Sequence, residues 1–125
     1  MNIPTNLKYA PSHEWIRIEG DEAFIGITDY AQSQLGDIVF VDIDCEGETL
    51  SKEETFCSIE AVKTVADVNM PISGTVLEVN SLVQDSSDII NKDPYGDGWL
   101  IKVEITNPDE LNDLLDAAGY QGLLQ

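Results

Sequence analysis

The residues with the most chemical potential lie in one stretch, Ile59-Glu60-Ala61-Val62-Lys63-Thr64-Val65-Ala66-Asp67-Val68. It reads as a mirror about the Lys63–Thr64 bond: Val62 meets Val65, Ala61 meets Ala66, Glu60 meets Asp67 and Ile59 meets Val68. One of only five lysines in the chain stands at its centre. A lysine amine can attack a carbonyl as a Schiff-base nucleophile, or it can itself be the acceptor of a group that another enzyme attaches. The first role needs a desolvated pocket that lowers the amine's pKa. A protruding tip flanked by acids does the opposite and favours the ammonium. The residue types therefore point to a lysine that is displayed and modified, with a solvated turn lysine as the plain alternative.

Other reactive side chains are sparse. His13 is the only histidine, so a metal site would have to rely on carboxylates, and none is expected. Cys45 and Cys57 form no C-x-x-C pair and read as small apolar core side chains rather than a disulfide. No nucleophile–base pair, glycine-rich phosphate loop or metal cluster occurs at useful spacing.

Strands must do most of the positioning. Trp15–Ile18 and Ala23–Ile27 flank Gly20-Asp21, a hairpin signal. Ile38–Ile43, Thr75–Val79 and Trp99–Ile105 are rich in β-formers or alternate. Thr55–Val62 and Val65–Met70 are the arms of the mirror. Gly47-Glu48-Thr49-Leu50 before the first arm is echoed by Gly74-Thr75-Val76-Leu77 after the second. As an antiparallel hairpin the mirror places Ile59, Ala61, Ala66 and Val68 on one face and Glu60, Val62, Val65 and Asp67 on the other, the two acids directly opposite each other. Lys-Thr lacks the positive φ that a two-residue loop prefers, so a longer loop about the same centre is the expected geometry. Thr28 caps a short helix over Asp29–Leu35 that Gly36 ends. A further turn of helix is expected around Val83–Ile89. Asn107, Pro108, Asp109 and Glu110 open a C-terminal helix whose stripe is Leu111, Leu114, Leu115 and Ala118, with Gly119 as its stop. Many short strands between turn residues predict a small sandwich or barrel.

Composition sets the outer limits. The chain has 125 residues, enough for one domain with a real core. It carries 24 acids against six bases, a net charge of −18. Such a surface disfavours nucleic acid and anionic membranes, favours basic protein surfaces, and suits a monomer that visits basic docking sites transiently. No apolar run approaches a membrane span, and no leader-like pattern is apparent at the start, so a cytoplasmic protein is expected, or one in the mitochondrial matrix if processed from a eukaryotic precursor.

Six stretches together resemble the glycine cleavage system H-protein family: LKYAPSHEW (7–15), GITDYAQ (26–32), LGDIVFV (35–41), IEAVKTVADV (59–68), PISGTVLEVN (71–80) and DPYGDGWLIKV (93–103). They follow the family's order and span nearly the whole chain. The resemblance implies a mainly β fold: a barrel-sandwich hybrid of two small antiparallel sheets with a lipoyl hairpin, one short internal helix and a C-terminal helix, in a single domain over 1–125. It implies that Lys63 is lipoylated and that Glu60 and Asp67 help lipoylating enzymes recognise it. It implies a carrier, catalysing no step itself, that takes an aminomethyl group from a pyridoxal-phosphate glycine decarboxylase to a tetrahydrofolate-dependent aminomethyltransferase. A dihydrolipoyl dehydrogenase then reoxidises the dithiol. Ser12, Glu14 and Asp67 match a cleft that shelters the loaded arm, where two carboxylates suit a cationic cargo. Ala61 replaces the family's usual serine, Asp42-Ile43-Asp44 its Glu-Leu-Pro, and Ser87 its loop proline near Asp88; these bear on local geometry. Within the same family a relay of lipoyl groups to other enzymes would use the same hairpin. An unmodified acidic adaptor is the rival from another class. A biotin carrier would show Met-Lys-Met at the tip, and a 2-oxoacid dehydrogenase lipoyl domain Asp-Lys-Ala.

Overall fold

The computed structural model describes residues 2–124. Nine strands, all antiparallel, form two sheets. The first has the order β1-β2-β3-β9-β8-β5, from Lys8–Tyr9, Glu14–Glu19, Glu22–Ile27, Ile101–Ile105, Gly74–Val79 and Thr49–Leu50. The second has the order β4-β6-β7, from Ile38–Asp42, Thr55–Ala61 and Val65–Asn69. The described residues also form four short α-helices, α1 (Asp29–Leu35), α2 (Ser81–Asp85), α3 (Ile89–Lys92) and α4 (Ala117–Leu123), and a 3₁₀ helix at Pro108–Asp113. Among the described residues no helix is long and apolar enough to cross a membrane.

Alternation along the strands builds the main core. Ile16 pairs with Ile25 and Ile25 with Ile101, a row of buried β-branched side chains across three strands. Ala23, Val103 and Val76 form the next row. Ile38, Val41, Cys57, Ile59 and Val68 of the second sheet belong to the same core. Each fully buried Ile or Val contributes about 1.5–3 kcal/mol relative to exposure. Cys45 and Cys57 are buried free thiols, and burial pushes the Cys45 thiol up to about 11, so both serve as small core side chains. The echo between the two glycine stretches is a pairing. Thr49 opposes Thr75 and Leu50 opposes Gly74, with the two threonine hydroxyls 2.8 Å apart.

A second, aromatic core lies on the far side of the first sheet. Tyr9, Trp15, Tyr120 and Leu7 are its buried members. Tyr9 and Tyr120 stack at 4.8 Å, and Trp15 Nε1 donates to the Pro94 carbonyl at 2.9 Å. Trp15 is possible there because its cross-strand partner is Gly26, where a Cβ would lie 2.7 Å from the indole.

The helix over Asp29–Leu35 matches expectation, with Thr28 Oγ1 accepting from Ala31 N and Gly36 at φ 78°. The turn expected around Val83–Ile89 resolves into α2 and α3, parted at Ser86–Asp88. Buried Ser87 donates to the Val83 carbonyl at 2.9 Å, so a hydrogen bond steadies the loop where a proline was expected. The C-terminal helix differs more. Pro108–Asp113 is a 3₁₀ turn, Asn107 makes no side-chain cap, and the helix proper starts only after Asp116, whose carboxylate accepts from Gly119 N. Gly119 thus opens α4 instead of ending a longer helix. The apolar stripe is divided: Leu111 and Leu114 pack on the main core, Leu115 on the aromatic one, and Ala118 is exposed. Leu115 is extended and exchanges two backbone hydrogen bonds with Tyr9, 2.8 and 2.7 Å. Reaching two cores on opposite sides of a sheet outweighs continuing one helix.

Gly26→Ala is expected to lower the urea midpoint by the equivalent of about 1–3 kcal/mol through overpacking against Trp15. An unchanged midpoint would show that the indole gives way freely.

Candidate functional site

Lys63 stands at the end of the β6–β7 hairpin, but the hairpin is not folded about the mirror. Glu60 opposes Val65, Ile59 opposes Ala66, Ser58 opposes Asp67 and Cys57 opposes Val68. The register is slipped by two residues, and Ala61 N donates to the Thr64 carbonyl across a tip made of Val62 and Lys63. The expected longer loop about Lys63-Thr64 is not what forms: the strands part only over residues 62–64, and the pairing is centred between Val62 and Lys63, one residue before the centre of the palindrome. The expected faces survive, since a shift of two preserves alternation: Ile59, Ala61 and Val68 are buried, while Glu60, Val62, Val65 and Asp67 are exposed. The expectation that Glu60 and Asp67 sit directly opposite is overturned. Like charges opposite one another destabilise a hairpin, and the slip separates them.

The lysine leans on the end of α1. A Cβ on Gly36 would lie 3.2 Å from Lys63 Cε and 3.6 Å from Nζ. Gly36 meets two demands at once, a positive φ that ends the helix and room for the lysine stem. Beneath it Asn91 ties three segments together. Its Nδ2 donates to the Gly36 carbonyl and to Gln32 Oε1, and its Oδ1 accepts from Ile38 N, all at 2.9 Å.

Beside the tip a cleft of about 330 Å³ opens between α1 and strand β7. Tyr30, Ala31, Gln34 and Leu35 form one wall, and Ala66, Asp67 and Val68 the other. Ser12, His13, Glu14 and Ile27 close its inner end. The structure thus places Ser12, Glu14 and Asp67 in the lining of one cleft. Glu60 is not among the cleft residues; it projects from the outer face of the hairpin.

Glu14 is only 4% exposed. Burial pushes its carboxyl up to about 7, against a hydrogen bond from Ser12 Oγ at 2.6 Å that favours the ionised form. Ser12 and Glu14 meet because the chain turns between them. His13 takes φ 78°, its N–H donates to the Ala10 carbonyl, and Ala10 N donates to the Glu14 carbonyl. The same turn aims His13 at Tyr120, with Nδ1 and the phenol oxygen 2.8 Å apart. Tyr120 in turn lies 2.7 Å from Thr28 Oγ1, the cap of α1. Burial lowers the His13 pKa, so the ring is neutral near pH 7. Sequence reasoning missed this relay and Asn91. His13 was weighed only as a metal ligand, and a left-handed histidine leaves no mark in a sequence.

The fold and site define a class: a small two-sheet β domain that displays one lysine on a hairpin beside a cleft holding a buried carboxylate. The family model for glycine cleavage H-protein matches residues 7–125. The chain is 56% identical over 124 residues to the glycine cleavage system H protein of Bacteroides fragilis, covering 99% of this chain and 98% of that one. It is 52% identical to that of Symbiobacterium thermophilum, covering 95% and 93%. The crystal structure of a glycine cleavage system H protein from Mycobacterium marinum superposes with a TM-score of 0.88 at 41% identity, covering 96% of this chain and 97% of that one. The chain belongs to the glycine cleavage H-protein family.

The position of Glu14 fixes the sign of a pH effect. Between its ordinary value of 4.5 and about 7 the unfolded chain is ionised while the folded one keeps its proton. Stability therefore falls as pH rises through that window and levels off above it. Glu14→Gln should flatten the pH 5 to 8 dependence of unfolding free energy by an amount on the order of 2 kcal/mol. Parallel curves for the two proteins would show that Glu14 ionises freely.

Proposed function

We propose that this chain is the lipoyl carrier of the glycine cleavage system, with lipoate joined as an amide to Lys63. The observation that supports this most directly is the tip lysine packed over Gly36, the residue that follows Leu35 in the wall of the cleft lined by Ser12, Glu14 and Asp67. The cleft suits such an arm: Ile27, Ala31, Leu35, Ala66 and Val68 offer apolar contact along it, and polar side chains gather toward Glu14. When bound, lipoate supplies a disulfide that can be reduced and can receive an aminomethyl group. The chain's own residues do the rest. Lys63 tethers the arm, which raises its effective concentration at each active site visited. Ile27, Leu35 and Val68 exclude water from the arm. Glu14, oriented by Ser12, and Asp67 at the rim pair with the ammonium of a charged cargo. Entry of a cation favours the ionised form of Glu14, so binding drives off the proton that burial retains.

In this role residues 1–125 act as one carrier domain and catalyse no step themselves. The partners are the pyridoxal-phosphate glycine decarboxylase, the tetrahydrofolate-dependent aminomethyltransferase, the dihydrolipoyl dehydrogenase and the lipoylating enzymes that recognise Glu60 and Asp67. We place the protein in the cytoplasm as a monomer. Family membership favours this role over that of an unmodified adaptor.

Intact mass after expression with lipoate should rise by one lipoyl group, and Lys63→Ala should abolish the rise. A wild-type chain left unmodified by a ligase that works on another acceptor would sink the reading. Glu14→Gln should leave lipoylation intact and shorten retention of the aminomethyl cargo about tenfold, the cost of one charge-assisted hydrogen bond. Equal retention would remove Glu14 from the site.

A further inference from the structure

The outer face of the small sheet carries an unusual surface. Val39, Phe40, Val62 and Val65 are 55, 52, 75 and 60% exposed, the four most exposed large apolar side chains among the described residues. All four cluster around the tip. Phe40, Glu60 and Val65 form one cross-strand row, and Asp42, Ser58 and Asp67 the next. Val62 follows Glu60 by two and extends the same face toward Lys63.

A β-bulge produces this face. Ile38 pairs with Ala61 and Phe40 with Glu60, so Val39 is an extra residue opposite the same partner. A bulge sets two residues against one and re-aims their side chains. Here it turns both Val39 and Phe40 outward while Ile38 and Val41 stay buried on either side. Without it, strict alternation from buried Ile38 would send Val39 outward, Phe40 inward and Val41 outward. An irregularity that exposes a phenylalanine adds nothing to the core, and it adds apolar surface where partners meet.

We propose that this face is the docking surface for the enzyme that acylates the Lys63 amine; the inference rests on the lipoyl-carrier reading above. Two features select that partner. The strands fix the distance from Phe40 and Val65 to Lys63, which serves an enzyme working at Nζ itself; one working at the far end of a flexible arm needs no such register. Around the apolar row stand Asp42, Glu60 and Asp67, and none of the three strands carries a basic residue. The complementary surface is an apolar depression rimmed by arginine or lysine. In the reaction the unprotonated Lys63 amine attacks the carbonyl of a lipoyl-adenylate made from lipoate and ATP. The amide N–C bond forms, the acyl–phosphate bond breaks, AMP leaves and the amine proton passes to solvent.

The test uses the full chain expressed without lipoate, a lipoate–protein ligase, lipoate and ATP. Phe40→Ser and Val65→Thr should each raise the KM for the acceptor about tenfold with kcat nearly unchanged, whereas Ile18→Thr, an exposed apolar residue on the other sheet, should behave as wild type. Raising salt should raise the wild-type KM. Once driven to full lipoylation, both variants should be reduced by a dihydrolipoyl dehydrogenase with NADH at the wild-type rate. Wild-type kcat/KM in Val65→Thr, an exposed substitution that keeps the β-branch, would overturn the docking surface. Equal losses at the dehydrogenase would overturn its assignment to the acylating enzyme. A wild-type chain that accepts no lipoyl group would overturn the carrier reading, and this surface with it.

Discussion

The hairpin depends on the parity of β6 and β7. Ile59 and Val68 must reach the main core, and the two-residue period of a strand then sends Glu60, Val62, Val65 and Asp67 outward together. A one-residue slip of β7 against β6 would turn Asp67 inward and Val68 outward, at a cost of several kcal/mol. A slip of two costs nothing at the core, so the core leaves the exact pairing open. The carboxylates close it. With Glu60 facing Val65 and Asp67 facing Ser58, repulsion between the acids is relieved and the tip moves to Val62 and Lys63. That shift carries the lysine stem over Gly36, at the end of the helix that walls the cleft.

Glu14 pulls against the fold that holds it. A buried carboxyl costs stability once ionised, and hydrogen bonds from the Ser12 hydroxyl and from Glu14's own backbone amide offset it in part. A glutamine of the same shape would be cheaper. The cost makes sense if the group waits for a cation, because the same burial that penalises the lone carboxylate strengthens its attraction for an ammonium in a dry cleft. The turn at His13, with its positive φ, is stabilised elsewhere: by the phenol of Tyr120 and by stacking of that ring on Tyr9. The aromatic core on one side of the large sheet therefore holds the shape of the cleft at its inner end.

Local signals in the sequence were reliable where one element answered to one demand. Thr28 and Gly36 bound α1 because capping is a property of a few neighbouring residues. The paired faces of the hairpin followed from alternation alone. The stripe from Leu111 to Ala118 misled because its spacing satisfies a helix while its leucines serve two different cores. The lysine, its flanking acids and the Ser12–Glu14–Asp67 set were legible through the resemblance of six stretches rather than through spacing. The relay through Tyr120 joins residues 107 and 92 positions apart, and no local pattern encodes it.

The cleft exists because β7 is an edge. It pairs with β6 on one side only, so its other side presents unpaired backbone groups that a bare sheet would offer to any passing strand. Helix α1 stands across from that strand, with Tyr30, Ala31, Gln34 and Leu35 on one wall and Ala66, Asp67 and Val68 on the other wall of a cleft of about 330 Å³. A lined recess thus runs along a strand that has a partner on one side only. A fourth strand would have sealed the edge and left nowhere for an arm tethered at Lys63 to rest. In the proposed role the two sides of the hairpin divide the work: the recess along β7 would shelter what Lys63 carries, and the open face, with Phe40 and Val65 turned outward, would serve the enzyme that must reach the lysine.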